Sequence, residues 1–456
     1  MGKAVAIIIC NFNKKEYVLQ CIKSVMGLAF RDYDLYVVDN ASGDGSVKAI
    51  EEAYEKKVIL IKNKENLGGS GGFNTGVRAV LNKGYKYIYL LDNDVILDEQ
   101  ALTELYYYLE EHHDVGIAGS LLYSLDNPTE IQEMGAEIDW NGFYIKPNFK
   151  GNLDKQEIPV ELECDYVPAC SMLVRTEAVK KAGLMDEGNF IYWDDIEWGY
   201  RIKEYGYRVV ALSESKVWHK MGVAAKTNTF GTYYFWRNRI NFFVKYLPQN
   251  LLHRFAEQIF SEVFQAIYSC NYAGKHSSAK TIIFAVEDAL SNIRGKAPEG
   301  RIYELEPVMN QLESLISDQN EVLLIVNDHI KLSRDVINKF SAINSKLEIS
   351  IAVRQHEINN IQGQFGVRIV DYEKCKKDEY DLVCQICNHV FDVRNEINEE
   401  IDLYIDQYYN IIASQKNIDY VKNYDATYNL LKNIYYPVFI RRIENLKELM
   451  MKERAK

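Results

Sequence analysis

The amino-acid sequence predicts an α/β protein: a doubly wound sheet with helices on both faces, followed by a mostly helical region that contains a small α/β unit. Two observations favour the sheet. Apolar, β-favouring runs without polar alternation are typical of strands covered on both faces, and these runs alternate with amphipathic helical patterns. The third observation is a change to mostly helical patterns after Pro248. The chain of 456 residues is also longer than an ordinary domain with a single hydrophobic core.

We therefore divide the chain into four predicted segments. A main α/β domain is expected over residues 1–248 and a helical segment over residues 249–318. Three strand-like stretches, EVLLIVND, EISIAVR and YDLVCQICN, predict a small α/β unit over residues 319–393. Amphipathic helices are expected over residues 394–456.

The first half of the main domain alternates strands with helices. Each strand ends in a polar turn, and the carboxyl ends of parallel strands meet at one edge of the sheet, where open α/β sheets bind ligands. The strands are predicted at residues 4–10, 34–38, 58–62 and 87–94.

Two of these turns have ligand-binding chemistry. The turn from Asp39 to Asp44 is rich in hydrogen-bond acceptors for a ribose or a base. The stretch NKENLGGSGGFNTG at residues 63–76 contains five glycines, which let a backbone approach a ligand closely, and the next helix offers its N-terminal amides. Because no Gly-Lys-Ser/Thr closes this loop, it is not a phosphate-binding P-loop.

The fourth strand, YIYLLDND, ends in two aspartates that flank Asn93. Asp92 and Asp94, placed at the carboxyl end of a buried strand, can hold a divalent cation between themselves and a diphosphate. The alternative is structural: Asp94 or Asp98 would cap the helix ALTELYYYLEEH.

The second half of the main domain begins with short strands over residues 115–174, which indicate a mixed extension of the sheet. Asp194 or Asp195 then begins a helix that ends at Gly206. These two acids lie close to Trp193, and His219 follows a later strand.

Composition excludes several classes of protein. A formal net charge of -12 and a pI near 5.4 argue against a nucleic-acid binder, because phosphate contacts need a positive field. No window approaches the roughly 18 to 20 apolar residues of a membrane span, so we expect a cytoplasmic chain with at most peripheral membrane contact. The cysteines lie in apolar surroundings that suit a reduced compartment, and the single Cys384–Cys387 pair lacks the second pair of a typical zinc site.

Six motifs in order carry a resemblance: CNFN at 10–13, VVDNAS at 37–42, ENLGGSGGFNTG at 65–76, LLDND at 90–94, WDDIEW at 193–198 and WH at 218–219. Together they resemble glycosyltransferase family 2, and within it the bacterial rhamnosyltransferase-like and galactofuranosyltransferase enzymes. The resemblance covers roughly residues 3–246. It implies a GT-A fold, a nucleotide-diphospho-sugar donor, a divalent metal and inversion at the anomeric carbon.

The resemblance also implies roles for individual residues. Asp92 and Asp94 would hold Mn²⁺ or Mg²⁺ on the diphosphate, and His219 would complete the metal ligands; without the other motifs, a structural histidine would be the simpler interpretation. Asn93 departs from the third aspartate of the galactofuranose polymerases, which leaves the donor sugar open. The remaining donor-binding residues implied are Cys10, Asn11, Asn13, Asp39, Asn66 and Asn93.

Inversion needs a base for the acceptor hydroxyl, and the match assigns this role to Asp195. Asp194 and Trp193 would hold the acceptor sugar, the tryptophan by stacking on an apolar sugar face. The structural alternative for Asp194 and Asp195 is a helix cap with a first-turn acid favoured by the helix dipole. For Arg237 and Arg239, contact with a phosphate and pairing with acidic groups stay open.

The expected function is transfer of rhamnose, galactofuranose or a hexose from a UDP or dTDP donor to a surface polysaccharide or a lipid-linked glycan. Two rivals remain: a non-catalytic nucleotide-sugar-binding scaffold, and a nucleotidyltransferase, against which the glycine-free first turn CNFNKKEY argues. The C-terminal helices are candidates for acceptor binding, for a homo-oligomer contact or for a membrane surface.

Overall fold

The structure is a computed structural model and describes residues 2–151, 157–220, 227–307, 311–326, 330–354 and 366–454. It divides into two compact units that interleave along the chain. The N-terminal unit comprises Met1–Ile259, Lys280–Leu305 and Ile440–Lys456, and the C-terminal unit comprises Phe260–Ala279 and Glu306–Phe439. The predicted boundaries near residues 248, 318 and 393 stay predictions.

The N-terminal unit is built on a ten-stranded mixed sheet. Its strands are β1 (Val5–Asn11), β2 (Tyr33–Asp39), β3 (Ile59–Lys62), β4 (Tyr87–Asp92), β5 (Val95–Leu97), β6 (Val115–Ser124), β7 (Ile131–Glu133), β10 (Glu161–Cys164), β11 (Ser171–Arg175) and β12 (Arg208–His219), while β8 (Ala136–Asp139) and β9 (Tyr144–Pro147) form a separate hairpin. The main order is β10-β12-β6-β11-β4-β1-β2-β3. Strands β1 to β4 pair in parallel, and the antiparallel β11 joins β4 to β6.

Helices cover both faces of this sheet. Along β1, Val5, Ile7 and Ile9 enter one buried cluster, whereas Ala6 and Ile8 enter the other. Burial on both faces explains the absence of polar alternation in these strands, and it confirms the predicted doubly wound fold. The helices up to residue 246 are α1 (Lys15–Gly27), α2 (Ser46–Tyr54), α3 (Gly68–Val80), α4 (Ala101–Glu111), α5 (Thr176–Ala182), α6 (Asp194–Glu204) and α7 (Phe230–Tyr246).

The C-terminal unit contains a six-stranded sheet of order β15-β14-β13-β16-β17-β18, parallel except for its last strand. The strands are β13 (Glu321–Ile325), β14 (Glu348–Val353), β15 (Arg368–Asp371), β16 (Leu382–Cys387), β17 (Leu403–Asp406) and β18 (Ile411–Ile412). This is the predicted small α/β unit, enlarged by three short strands. Cys384 and Cys387 are both buried free thiols on β16.

The remaining helices make the rest of the chain mostly helical, as predicted. They are α8 (Leu252–Tyr272), α9 (His276–Leu290), α10 (Gln311–Ile316), α11 (Ile330–Ile343), α12 (Gln415–Lys422) and α13 (Tyr424–Arg454). Within the described ranges, none of the helices carries a stretch that is both long enough and apolar enough to cross a bilayer.

Candidate active site

Three potential metal ligands meet at the carboxyl end of β4. Asp92 is the last residue of β4, and His219, the last residue of β12, pairs with Val95 of β5. This pairing brings the histidine to the turn that carries Asp94. One ligand atom from each of Asp92, Asp94 and His219 lies within 4.8 Å of the others, and no second group of this kind occurs among the described residues.

Asp94 has two basic neighbours, Lys14 and His219. The Lys14 ammonium, just before α1, donates to its Oδ2 at 2.6 Å, and His219 Nε2 lies 3.5 Å from its Oδ1. Burial alone would raise the pKa of Asp94, but His219 and Lys14 hold this pKa below its usual value. Asp94 is therefore the more acidic carboxyl group of the pair. The Nδ1 of His219 faces Gln132 Oε1 at 3.1 Å, which orients the imidazole ring.

The pKa of Asp92 is shifted in the opposite direction, upwards. Burial raises its pKa to about 6, and the neighbouring charge of Asp94 adds to this effect. The ion pairs found in the described part of the chain do not include Asp92. A hard divalent cation would supply the missing counter-charge, and carboxylate and imidazole ligands suit Mn²⁺ or Mg²⁺. The residues present therefore fit a metal site, with Asp92, Asp94 and His219 as its ligands.

The predicted nucleoside-binding residues form a hydrogen-bonded chain beside this group. The Asn11 amide donates to Asp39 Oδ1 at 3.0 Å and to Ser42 Oγ at 3.2 Å, and Asn93 donates to Asn11 Oδ1 at 2.8 Å. Asn11 is fully buried and Asn93 nearly so. In this structure both amides therefore hold Asp39 and the turn after β4 in place, and contact with a donor stays a prediction for them.

Asn13, Asn66 and Cys10 are also engaged within the protein. Asn13 accepts from the Gly43 amide at 2.7 Å, and Asn66 accepts from Asn40 at 3.0 Å and from the Gly68 amide at 2.9 Å. Burial raises the pKa of the Cys10 thiol well above its usual range, so this side chain is neutral. The roles of these three residues in donor binding stay predictions.

Several glycines of residues 63–76 pack closely against the protein itself, whereas close approach to a ligand was expected. They lie at the start of and within α3, and two of them allow this helix to pack closely on β1. A Cβ at Gly72 would lie 2.3 Å from Cys10 Sγ, and one at Gly76 would lie 2.5 Å from Ile8 Cγ2. Gly68 has a φ of +77°, and a Cβ there would overlap the Phe190 carbonyl. Close approach at these positions is therefore to the protein itself.

Asp194 and Asp195 begin α6 after an unusual segment of backbone. Phe190, Tyr192 and Trp193 all have positive φ values, of 65°, 61° and 67°. Non-glycine residues rarely adopt this conformation, so surrounding contacts must hold the segment.

Two neighbouring residues on α7 provide these contacts. The Asn238 amide donates to the carbonyls of Asn189, Ile191 and Tyr192 at 2.8 to 2.9 Å. Arg237, fully buried, donates to the carbonyls of Gly188, Asn189 and Gly295. Arg237 is thus bound to backbone carbonyls, and the positioning of this segment is its structural role. Arg239 Nε likewise donates to the Phe143 carbonyl, at 2.9 Å.

We expect Asn238→Ala to lower the free energy of unfolding by about 3 kcal/mol, because three backbone carbonyls lose a donor. Chemical denaturation measures this change. Asn241→Ala is the matched control, since Asn241 is a buried asparagine on the same helix whose amide has no hydrogen-bond partner among the described residues. Equal destabilisation by the two substitutions would contradict this account of Asn238.

Trp193 does not fit the predicted role of stacking on a sugar. Its side chain is only 4% exposed and packs against Phe235, Phe242 and Phe243 of α7. The neighbouring Tyr192 is 47% exposed. The positive φ of Trp193 accompanies this inward orientation, and the exposed aromatic ring of the segment belongs to Tyr192.

Asp195 has the environment of a base that is protonated at acidic pH. It accepts from the Ala169 amide at 3.3 Å and from the Ile196 amide at 2.9 Å. Burial raises the pKa of Asp195 despite these donors, and it raises the pKa of Asp194 further, with the charge of Asp195 adding to that shift. Neither acid is a side-chain cap of α6, whose preceding residue is Trp193.

Glu133, at the end of β7, is a fourth carboxylate that the sequence motifs did not indicate. Burial raises its pKa to about 7, with the charge of Asp195 adding to the shift and a hydrogen bond from Tyr166 opposing it. Its Oε1 atom is buried without a partner among the described residues. The sequence around it, EIQEMG, contains no signal that distinguishes it from an ordinary surface glutamate.

The fold and the site define a class of protein. It is an α/β protein in which acidic residues that could bind a divalent metal ion cluster at the carboxyl edge of the sheet. Residues 6–181 match the family model described as glycosyl transferase family 2. Over residues 6–181, the chain is thus similar to glycosyltransferase family 2.

Curated relatives match part of the chain. Galactofuranosyltransferase GlfT2 of Mycobacterium tuberculosis is 24% identical over 199 residues, which are 40% of this chain and 31% of the relative. Teichoic acid poly(glycerol phosphate) polymerase of Staphylococcus epidermidis is 25% identical over 44% of this chain and 26% of its own length. Poly(ribitol-phosphate) beta-N-acetylglucosaminyltransferase TarP of Staphylococcus aureus is 32% identical over 26% and 36%. The matches thus span about a third or less of these relatives.

Proposed function

We propose that this chain is an inverting, metal-dependent glycosyltransferase that moves a sugar from a nucleotide diphosphate onto a surface polysaccharide or a lipid-linked glycan. The observation that supports it most is the group of Asp92, Asp94 and His219, brought together at the carboxyl edge of the family 2 domain. Relatives named for galactofuranosyl and N-acetylglucosaminyl transfer, and for teichoic acid synthesis, agree with a cell-surface product.

In the proposed reaction, Asp195 removes the proton from an acceptor hydroxyl as its oxygen attacks the anomeric carbon. The bond from that carbon to the diphosphate breaks, and the nucleoside diphosphate leaves with the bonding electrons. A divalent cation held by Asp92, Asp94 and His219 would stabilise the negative charge of the leaving diphosphate. The Arg237–Asn238 pair keeps the segment before Asp195 in its positive-φ conformation and so fixes the position of the base.

Release of nucleoside diphosphate tests the function. A panel of UDP-, dTDP- and GDP-sugars is incubated with the full chain and with bacterial surface glycans, and released UDP, dTDP or GDP is measured. Release that rises with a glycan supports transfer. Binding of a nucleotide sugar without any release, in the presence of every glycan, would favour the non-catalytic scaffold. A product that retains the anomeric configuration would contradict inversion.

Removal of the metal gives a separate prediction. We expect EDTA to abolish transfer, because the Asp92 and Asp94 carboxylates would then repel the diphosphate, and we expect excess Mn²⁺ or Mg²⁺ to restore it. The measurement is the initial rate of diphosphate release before and after restoration. Full activity in EDTA would contradict the metal assignment and leave the family membership intact.

A further inference from the structure

The C-terminal unit contains a cavity of about 400 Å³ that the proposed reaction does not use. One side of it is the face of α8 that carries Gln265 and Ser269, and the other side is formed by His389 after β16 and by Tyr408 and Asn410 after β17. Ligand sites of open parallel sheets lie at this carboxyl edge, and volumes from about 300 Å³ upwards are typical of small-molecule pockets.

A single buried carboxylate holds the loops after β16 and β17, which form one side of the cavity. Asp406 ends β17 and is fully buried, and it accepts from the amides of Val390, Tyr408 and Asn410 at 2.8 to 3.2 Å and from Asn410 Nδ2 at 3.0 Å. The loops after two neighbouring strands are thereby fixed to one group. Between them, Tyr409 adopts a φ of 60°, which costs free energy in a non-glycine residue. The loop that presents Tyr408 and Asn410 is thus preorganised.

The histidine of the lining does not activate the neighbouring serine as a nucleophile. His389 Nδ1 accepts from the Phe391 amide at 3.3 Å, so the ring hydrogen lies on Nε2, which faces Ser269 Oγ at 3.1 Å. With that tautomer, His389 donates to Ser269 and does not act as its base. The site is equipped to bind a ligand.

The charge balance of the lining disfavours a phosphorylated ligand. The lining contains one acid, Glu262, and one base, Lys275, so a dianion would find no net positive field. The sequence that follows β13, VNDHIK, also lacks the glycines of a phosphate-binding turn. The neutral amides and hydroxyl groups suit a neutral polyhydroxylated ligand, and Tyr408, 58% exposed, offers a ring face beside them.

We propose that this cavity is a second, non-catalytic carbohydrate site that binds a neutral sugar unit. The Tyr408 ring packs on an apolar face of the sugar, and Asn410, Gln265 and Ser269 form hydrogen bonds with its hydroxyl groups. This site does not depend on the transfer reaction, because all of its residues belong to the C-terminal unit.

The free thiol of Cys270 lines the cavity and reports on its occupancy. The test uses the full chain and the methyl glycosides of glucose, galactose and rhamnose, each at millimolar concentration. Alkylation by iodoacetamide is followed by mass spectrometry at Cys270 and, as an internal control, at Cys375, which is also partly exposed but is not part of the lining. We expect at least one glycoside to slow alkylation at Cys270 severalfold and to leave Cys375 unchanged.

Two variants locate the binding. Tyr408→Ala removes the ring and is expected to weaken the protecting glycoside about tenfold. Ala266→Trp fills the cavity, and saturation-transfer NMR should then detect no binding to this site. Tyr435→Ala is the matched control, since Tyr435 has the same 58% exposure in the same unit and lies outside the lining.

Three results would overturn the proposal. The first is a failure of every glycoside to protect Cys270. The second is protection that persists equally in Tyr408→Ala and Ala266→Trp. The third is protection by UMP and by none of the glycosides, which would make the cavity a nucleotide site. Because none of these readouts measures transfer, an inactive chain with a protected Cys270 would contradict the proposed function and leave this site intact.

Discussion

Asp195→Asn is expected to lower the rate of sugar transfer by a factor of about 10² to 10⁴, the usual contribution of a general base, and to leave donor affinity nearly unchanged. The substitution keeps the shape of the side chain and a carbonyl oxygen that can accept from a backbone amide. It removes the ability to take the acceptor proton, and it also replaces one of the two oxygens that accept from the Ala169 and Ile196 amides by a donor. The measurements are kcat from diphosphate release and donor Kd by titration in the absence of acceptor.

The control for this prediction is Asp114→Asn, which neutralises a surface aspartate that is paired with Arg208. We expect its kcat to stay within about twofold of the unsubstituted chain, because exposed ion pairs contribute little. A rate for Asp195→Asn equal to that of this control would show that another residue is the general base.

Glu133 is the other candidate for the general base. The substitution Glu133→Gln distinguishes its contribution to the transfer rate from that of Asp195. If Asp195 is the base, Glu133→Gln retains most of the rate. If Glu133 were the base, Glu133→Gln would lose the rate that Asp195→Asn retains.

The sequence was sufficient to predict the sheet of the N-terminal unit. Stretches such as YIYLLD are apolar at every position, and only a strand covered on both faces buries all of them. The meeting of Asp92, Asp94 and His219 was predicted from the family resemblance, because spacing along the chain does not show that β12 ends beside β5. The structure brings these three residues together, and their role as metal ligands stays a prediction.

The partners of the site residues could not be predicted, since they come from distant parts of the chain. Lys14 and Gln132 contact Asp94 and His219 through tertiary packing, and nothing in their local sequence marks them. Asn40 belongs to the turn that was predicted to accept hydrogen bonds from a ribose or a base, but its protein partners, Asn63, Asn66 and the Gly68 carbonyl, could not be predicted.

The packing of the glycines and the tryptophan near the site could not be predicted. Their contacts with ligands stay predictions, and the structure shows them packed against the protein itself. Gly72 and Gly76 allow α3 to approach β1, and Trp193 packs beneath α7 because its backbone adopts a positive φ. Sequence alone shows the residue type but not the φ value or the neighbour that occupies the space.

Asp92→Asn is expected to abolish metal-dependent transfer and to remove a pH dependence of metal binding. Because burial and the charge of Asp94 raise the pKa of Asp92 to about 6, a cation that binds below this pH must displace a proton. The proton on Asp92 should therefore lower the affinity for Mn²⁺ by up to tenfold per pH unit as pH decreases below about 6.

Titration of Mn²⁺ at several pH values, followed by calorimetry in buffers of different ionisation enthalpy, measures both the affinity and the proton released. Asp32→Asn, a surface substitution, is the control and should keep the pH dependence of the unsubstituted chain. His219 would contribute a similar slope, since Asp94 and Asp92 raise its pKa against the effect of burial and a metal ligand must be deprotonated. Asp92→Asn with His219 intact should accordingly retain a weaker slope, whereas an unchanged slope and affinity would exclude Asp92 as a ligand.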